Sequence, residues 1–226
     1  MAQNKRNGHT MYEAIVFDLD GTLLNTLDDL AAATNAALRA FALPERTREE
    51  VRSFVGNGIV KLLERAVGDR AFARFSELLG FFKEYYGTHC ADYTRPYEGI
   101  LPLLRTLQAR GVKTAVLSNK ADFAVKKLTE QYFGDLLLDA VGENEEGGIR
   151  KKPAPDALFS VMERLGVTRE TTVYVGDSEV DIQTAKNAGV DHICVTWGFR
   201  ERVFLGQNGG EVFVDDPVQI LDFCKE

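Results

Sequence analysis

A chain of 226 residues is long enough for a full hydrophobic core, as one domain or as one domain with a smaller companion. With 45% hydrophobic and 27% charged residues it reads as an ordinary globular protein, and a net charge of -7 leaves no broad basic face for nucleic-acid phosphates. Cys90, Cys194 and Cys224 are odd in number, far apart and without a CxxC pair, which suggests neither a disulfide framework nor a zinc site and fits a reducing cytoplasm.

The opening MAQNKRNGHT, residues 1–10, is polar, has no apolar stretch of the secretory type and is expected to be a disordered tail. No later stretch reaches the roughly 18 apolar residues of a membrane span. The first apolar run, EAIVFD, stops at Asp18, and Asp20 follows in DLDGTLLNT. A turn after a buried strand tolerates one aspartate, but two this close repel unless solvent or a cation separates them. A calcium loop does not explain them: with Gly21 in sixth place, Val16 falls first and Leu27 twelfth, and neither offers a carboxylate.

From about Leu27 to Tyr93 the pattern is helical, in TLDDLAAATNAALRAF, TREEVRSFVG, GIVKLLERAV and FARFSELLGFFKEYYGTHC. Phe72, Phe75, Phe81, Phe82, Tyr85 and Tyr86 are expected to form the core of this insertion rather than a substrate stack. Beyond it, helical LPLLRTLQARG, ADFAVKKLTEQYF, APDALFSVMERLG and SEVDIQTAKNAG alternate with the apolar runs VKTAVLSN, LLLDAVGE, TTVYVGD and HICVTWG. That alternation predicts an α/β fold, and uninterrupted apolar runs suit strands buried on both faces of a parallel sheet. Gly111, Gly166 and Gly189 stand where helices end.

Ligands of open parallel sheets bind beyond the carboxyl ends of the strands. The residues at those ends are Asp18, Ser118 with Asn119, and Asp177, and Asp181 faces the same edge if a helix starts at Ser178. Asp18, Asp20, Asp177 and Asp181 cannot all stay ionised together without positive charge. Oxygen-only ligands point to magnesium, which binds through one or two carboxylates plus substrate phosphate. Lys152 in IRKKPAPDAL, held by Pro153 before a helix, is the candidate for a second positive charge, although a solvated basic loop shared with Arg150 and Lys151 is an equal reading of that stretch alone.

Four ordered stretches resemble the haloacid dehalogenase superfamily of phosphatases, in its phosphoglycolate phosphatase-like branch: DLDGT, Ser118 in VLSNK, Lys152 in KPAP, and GDSEVD followed by AKNAG. The resemblance implies a Rossmann-like parallel sheet with helices on both faces, formed by residues 11–26 and 94–226, and a helical cap at 27–93 that closes over the site. It implies that Asp18 is the nucleophile, that Asp20 is the general acid and then base, and that Ser118 and Lys152 hold the transferring oxygens. It also implies magnesium on Asp18, Asp177 and the backbone carbonyl of Asp20, with Asp181 in support, and Thr22, Asn119 and Asn57 as substrate contacts. Asn57 lies in VGNGI, which resembles the branch's specificity loop but equally suits a plain interhelical turn. His89, Arg95, Trp197 and Arg200 are left outside the expected site.

Within that superfamily, dehalogenases lack the second aspartate, and mutases of the β-phosphoglucomutase type carry Val after DxDG and a histidine twelve residues past the first Asp. Here Asp20, Thr22 and Leu30 hold those positions, which favours hydrolysis. A phosphoacceptor signalling domain has no inserted cap, and a silent phosphate-binding module would lack a motif residue. The expected partner is a small phosphorylated metabolite, with phosphoglycolate weakly favoured over pyrophosphate, sugar phosphates and nucleoside monophosphates. No nucleic acid or membrane partner is expected, and the chain is expected to be a monomer or homodimer.

Overall fold

The computed structural model describes residues 5–6, 9–68, 73–144, 148 and 150–225. In the opening segment, Lys5–Arg6 (β1) pairs antiparallel with His9–Thr10 (β2), where a disordered tail was expected. Such pairing uses backbone groups alone, so it leaves no apolar pattern to read.

Ala14–Phe17 (β3) is buried at every residue because the main sheet continues on both sides of it. The chain then forms Leu24–Asn25 (β4) and leaves the sheet for Leu27–Ala40 (α1), Arg48–Phe54 (α2), Gly58–Val67 (α3) and Phe75–His89 (α4), returning through Arg95–Pro96 (β5). After Ile100–Ala109 (α5) come Lys113–Ala121 (β6), Asp122–Tyr132 (α6), Asp139–Glu143 (β7), Asp156–Leu165 (α7) and Thr172–Gly176 (β8). Glu179–Ala188 (α8), Asp191–Val195 (β9), Arg202–Gln207 (α9) and Phe213–Val214 (β10) complete the core.

The main sheet has the order β10-β9-β8-β3-β6-β7, and every pairing in it is parallel. Ile15, Phe17, Val116 and Val175 pack on one face with Leu104 and Leu128, while Ala14, Val16, Leu117 and Tyr174 pack on the other with Leu158, Val161 and Ala185. Both faces are covered, which is why these strands are apolar throughout. Strand β10 escaped the sequence reading because two residues show no period.

Register builds the functional edge. Phe17 lies beside Val116 and Val175, so Asp18, Ser118 and Asp177 emerge together from the three central strands. Strand β6 also runs past its expected end at Asn119, carrying buried Ser118, Asn119 and Lys120.

The helical insertion packs α1 against α4 and α2, with Leu30, Ala33, Ala37, Leu63, Leu78, Phe82 and Tyr86 buried. Of the aromatic residues expected inside it, Phe82 and Tyr86 are buried, Phe75 and Tyr85 are partly buried, and Phe81 is exposed on one side. Phe72 lies outside the described residues. Among the described residues, no helix is long and apolar enough to cross a membrane.

The insertion departs and returns at one place, since β4 pairs antiparallel with β5. Asp29 in α1 secures that junction: its buried carboxylate accepts the backbone N–H of Tyr93 at 3.0 Å, the N–H of Thr94 at 2.8 Å and the Thr94 hydroxyl at 2.7 Å. Replacing Asp29 by Ala strands these buried donors, and the expected loss is about 2–4 kcal/mol. A thermal or urea unfolding curve checks this, and an unchanged midpoint contradicts it.

Candidate active site

Asp18 directly follows β3, and its buried carboxylate accepts the Leu19 N–H at 2.7 Å and lies 3.0 Å from the Lys152 ammonium. Ser118 hydrogen-bonds to the same carboxyl group. Lys152 also donates to Asp181 Oδ1 at 2.7 Å and to the Tyr174 hydroxyl at 2.9 Å, and that hydroxyl in turn donates to the Leu117 carbonyl. The lysine lies on the connection before α7, and Asn119 fixes its backbone. Asn119 Oδ1 accepts the Lys152 N–H at 2.8 Å, and Nδ2 donates to the Lys152 carbonyl and to Gly56 of the insertion, each at 3.0 Å.

Ser178 caps α8 and binds Asp181 Oδ2 through its hydroxyl at 2.6 Å, which brings that carboxylate to the sheet edge. Asp177 is held by the Phe199 N–H at 2.6 Å and is enclosed by two glycines. A Cβ at Gly21 or at Gly198 would stand 2.3 Å from an Asp177 side-chain atom, and Gly21 also has a positive φ of 83°.

Asp18, Asp177 and Asp181 each offer an oxygen within 4.8 Å of the others. Burial is the main force on all three. It pushes the Asp18 carboxyl up to about 7 against the opposing pull of Lys152, with Asp181 and Asp20 adding to the rise. Burial, then Asp181 and Asp18, raise Asp177 well above the carboxylate range. Burial works against the charge on Asp181 too, but Lys152 and Ser178 hold it below its ordinary value. Three buried carboxylates with one lysine are short of positive charge, so the donor set fits a hard divalent cation.

Asp20 belongs to a second unit. Its Oδ1 accepts Lys120 Nζ at 2.9 Å and the Thr26 hydroxyl at 2.7 Å. Lys120 Nζ also lies 2.5 Å from the hydroxyl of Tyr86, which comes from α4. Above both units the insertion contributes Leu30, Val55, Ile59 and Leu62 to a pocket whose floor includes Asp18, Asp20, Ser118 and Asp177. Two arginines bind roof to floor: Arg200 donates to the carbonyls of Arg52 at 3.1 Å and Val55 at 2.8 Å, while Arg52 donates to the Gly198 carbonyl at 3.2 Å.

Residues 15–195 match the haloacid dehalogenase-like hydrolase family. The chain belongs to it. A phosphoglycolate phosphatase of Pseudomonas putida is 33% identical over 224 residues, covering 96% of this chain and 81% of that protein. A solved structure from Lactobacillus delbrueckii subsp. bulgaricus is 37% identical, with a TM-score of 0.89 and coverage of 96% of this chain and 100% of that one. CbbY from Rhodobacter sphaeroides, solved in complex with phosphate, is 25% identical with a TM-score of 0.76, covering 93% of this chain and 96% of that one.

For this hydrolase the fold brings Asp18, Asp20, Ser118, Lys152, Asp177 and Asp181 to one edge, but not every expected role fits. The Asp20 carboxylate stands outside the acidic cluster because Lys120 and Thr26 hold it, so only its backbone carbonyl remains for a cation. Thr22 is fully buried and its carbonyl accepts the Trp197 indole, so its side chain does not line the pocket. Asn57 turns its amide oxygen to Arg65 at 2.8 Å and leaves the pocket wall to Gly56 and Gly58. Asn119 does line the pocket, but its amide is spent on backbone groups. Lys120, Tyr86, Tyr174 and Arg200 were missed as site residues. The one available signal was a lysine placed directly after a buried strand end.

Asp177→Asn keeps an acceptor for Phe199 while removing a crowded charge. In chelator it is expected to raise the melting temperature, at about 2–4 °C per kcal/mol of relieved repulsion. A divalent cation that binds only the folded state would stabilise the unaltered protein, and the variant is expected to lose that gain. Because the folded Asp18 carboxyl is raised to about 7, its protonated form stabilises the metal-free protein, and this contribution fades as pH rises from its ordinary value towards about 7. An amide does not titrate, so in chelator the advantage of Asp18→Asn should grow from about pH 5 to about pH 7 and then level off. Melting curves across that range check it, and an advantage that shrinks with pH contradicts it.

Proposed function

We propose that this chain is a magnesium-dependent phosphatase that cleaves a small phosphate monoester through an aspartyl phosphate on Asp18, with 2-phosphoglycolate as the favoured substrate. Its class is a phosphoric monoester hydrolase. The observation that carries the mechanism is the separation of the acids into two units: Asp18 beside Ser118 and Lys152, and Asp20 beside Lys120 and Thr26. A nucleophile and a proton carrier on one strand end are what two-step phosphoryl transfer needs.

In the first step an Asp18 oxygen forms a bond to phosphorus as the bond to the ester oxygen breaks, and Asp20 gives that oxygen a proton. In the second step Asp20 takes a proton from a water that attacks the phosphorus, which frees Asp18 and releases phosphate. Ser118 and Lys152 hold the phosphoryl oxygens through both steps. Asp18, Asp177 and the Asp20 carbonyl, with Asp181 in support, would hold magnesium, which would supply the positive charge that offsets the carboxylates and the phosphoryl group.

The insertion acts as a cap. Its apolar roof excludes bulk water while the phosphoenzyme exists and leaves room for a compact leaving group. A net charge of -7 offers no surface for a phosphorylated polymer. All three cysteines are free and buried, which supports a cytoplasmic location.

Acid-quenched enzyme should carry a hydroxylamine-labile phosphoryl group that Asp18→Asn lacks, and that variant should retain below about 1% of kcat. More activity than this rejects Asp18 as the nucleophile. Excess chelator is expected to abolish turnover and calcium to inhibit it, because calcium takes more ligands at longer distances. Full activity in chelator contradicts the metal requirement. Comparing kcat/KM for phosphoglycolate, pyrophosphate, a sugar phosphate and a phosphopeptide tests the substrate, and a win for the phosphopeptide overturns the closed-cap reading.

A further inference from the structure

Lys120 is a buried cation on the pocket wall, at the side where the leaving group must lie. Its ammonium donates to both oxygens of the Asp20 carboxylate, at 2.9 and 3.2 Å, and lies 2.5 Å from the Tyr86 hydroxyl, so a substrate anion would take the place of the longer Asp20 contact. The other cations near the pocket are committed elsewhere. Lys152 is taken by Asp18 and Asp181 on the phosphoryl side, and Arg200 spends its guanidinium on Glu179 and on backbone carbonyls of the insertion. Among the described residues, the insertion adds no charged side chain to the wall, only apolar residues such as Leu30, Ile59 and Leu62, glycines and the hydroxyl of Tyr86.

We propose that Lys120 is a specificity residue that binds an anionic substituent next to the ester oxygen, a carboxylate on the neighbouring carbon, and that Tyr86 from the insertion holds the ammonium there. This rests on the phosphatase reading of the same site. Asp20 is the group that protonates the ester oxygen, so a cation 2.9 Å from Asp20 is within reach of a substituent one or two bonds beyond that oxygen. Beside the apolar side chains of Leu30, Ile59 and Leu62 such an ion pair is strengthened. The same walls offer nothing to the hydroxyls of a sugar, which would be desolvated without partners. The preference thus comes from a core strand, with the insertion contributing one hydroxyl and an apolar surface.

The test compares 2-phosphoglycolate with 2-hydroxyethyl phosphate, in which a neutral hydroxymethyl replaces the carboxylate, using full-length enzyme with magnesium. The unaltered enzyme should favour phosphoglycolate. Lys120→Met should lower the ratio of the two kcat/KM values by roughly 10- to 100-fold, the size of one charged hydrogen bond, mainly through the KM for phosphoglycolate. Tyr86→Phe, which keeps the packing, should lower the ratio several-fold in the same direction and keeps the test open if Lys120→Met does not fold. Glycolate should inhibit hydrolysis of a generic aryl phosphate by the unaltered enzyme more strongly than by Tyr86→Phe. Equal losses on both esters in these variants would show that Lys120 acts only by placing Asp20, and would overturn the assignment while leaving the phosphatase reading intact. Unaltered enzyme that cleaves neither ester overturns both.

Discussion

Buried carboxylates crowded at one sheet edge repel one another, and the surrounding structure is arranged to hold them there. Burial is the largest cause raising Asp18 and Asp177; Asp181 and Asp20 add to the rise at Asp18, and Asp181 and Asp18 to that at Asp177. Such a cluster survives only if its members cannot move apart, and strand register supplies that restraint, since β3, β6 and β8 end side by side. Glycines let Asp177 be enclosed closely, and Asn119 keeps Lys152 beside Asp18 by gripping both of its backbone groups. The repulsion that costs stability is also what makes the edge receptive to a cation.

Two lysines divide this edge. Lys152 pairs with Asp18 and Asp181, while Lys120 pairs with Asp20. The halves are linked differently to the insertion. Asn119 touches it through the Gly56 carbonyl, Lys120 through the Tyr86 hydroxyl, and residues 197–200 through Arg200, while Phe199 beside that arginine holds Asp177 with its N–H. A shift of the insertion would therefore be felt by both Asp20 and Asp177.

Much of this was legible in the sequence because the relevant signals are local. The apolar runs ending in Asp18, Ser118 and Asp177 gave strands and edge together, and Gly166 and Gly189 do end α7 and α8 in left-handed conformation. What escaped depends on partners distant in the chain. Tyr86 looks like any core aromatic of an amphipathic helix until its hydroxyl is found on Lys120, and Lys120 looks like an ordinary basic residue until its strand is found to be buried through that position. Asn57 misled for the opposite reason: a polar residue between two glycines suggests an exposed contact, but Arg65, two turns further along α3, claims its amide. Thr22 follows the two acids in sequence, yet the turn at Gly21 sends it beneath the Trp197 loop.

The pairing of β4 with β5 means that the chain leaves the core and comes back at a single point, with Asp29 fastening the two ends. Closing such an excursion costs little more entropy when it is long than when it is short. Its length and sequence can then drift, or be exchanged wholesale, without disturbing the register of the central strands. Descent with modification can thus act on one wall of the pocket at a time, and a lineage of enzymes with different appetites can share one chemical engine.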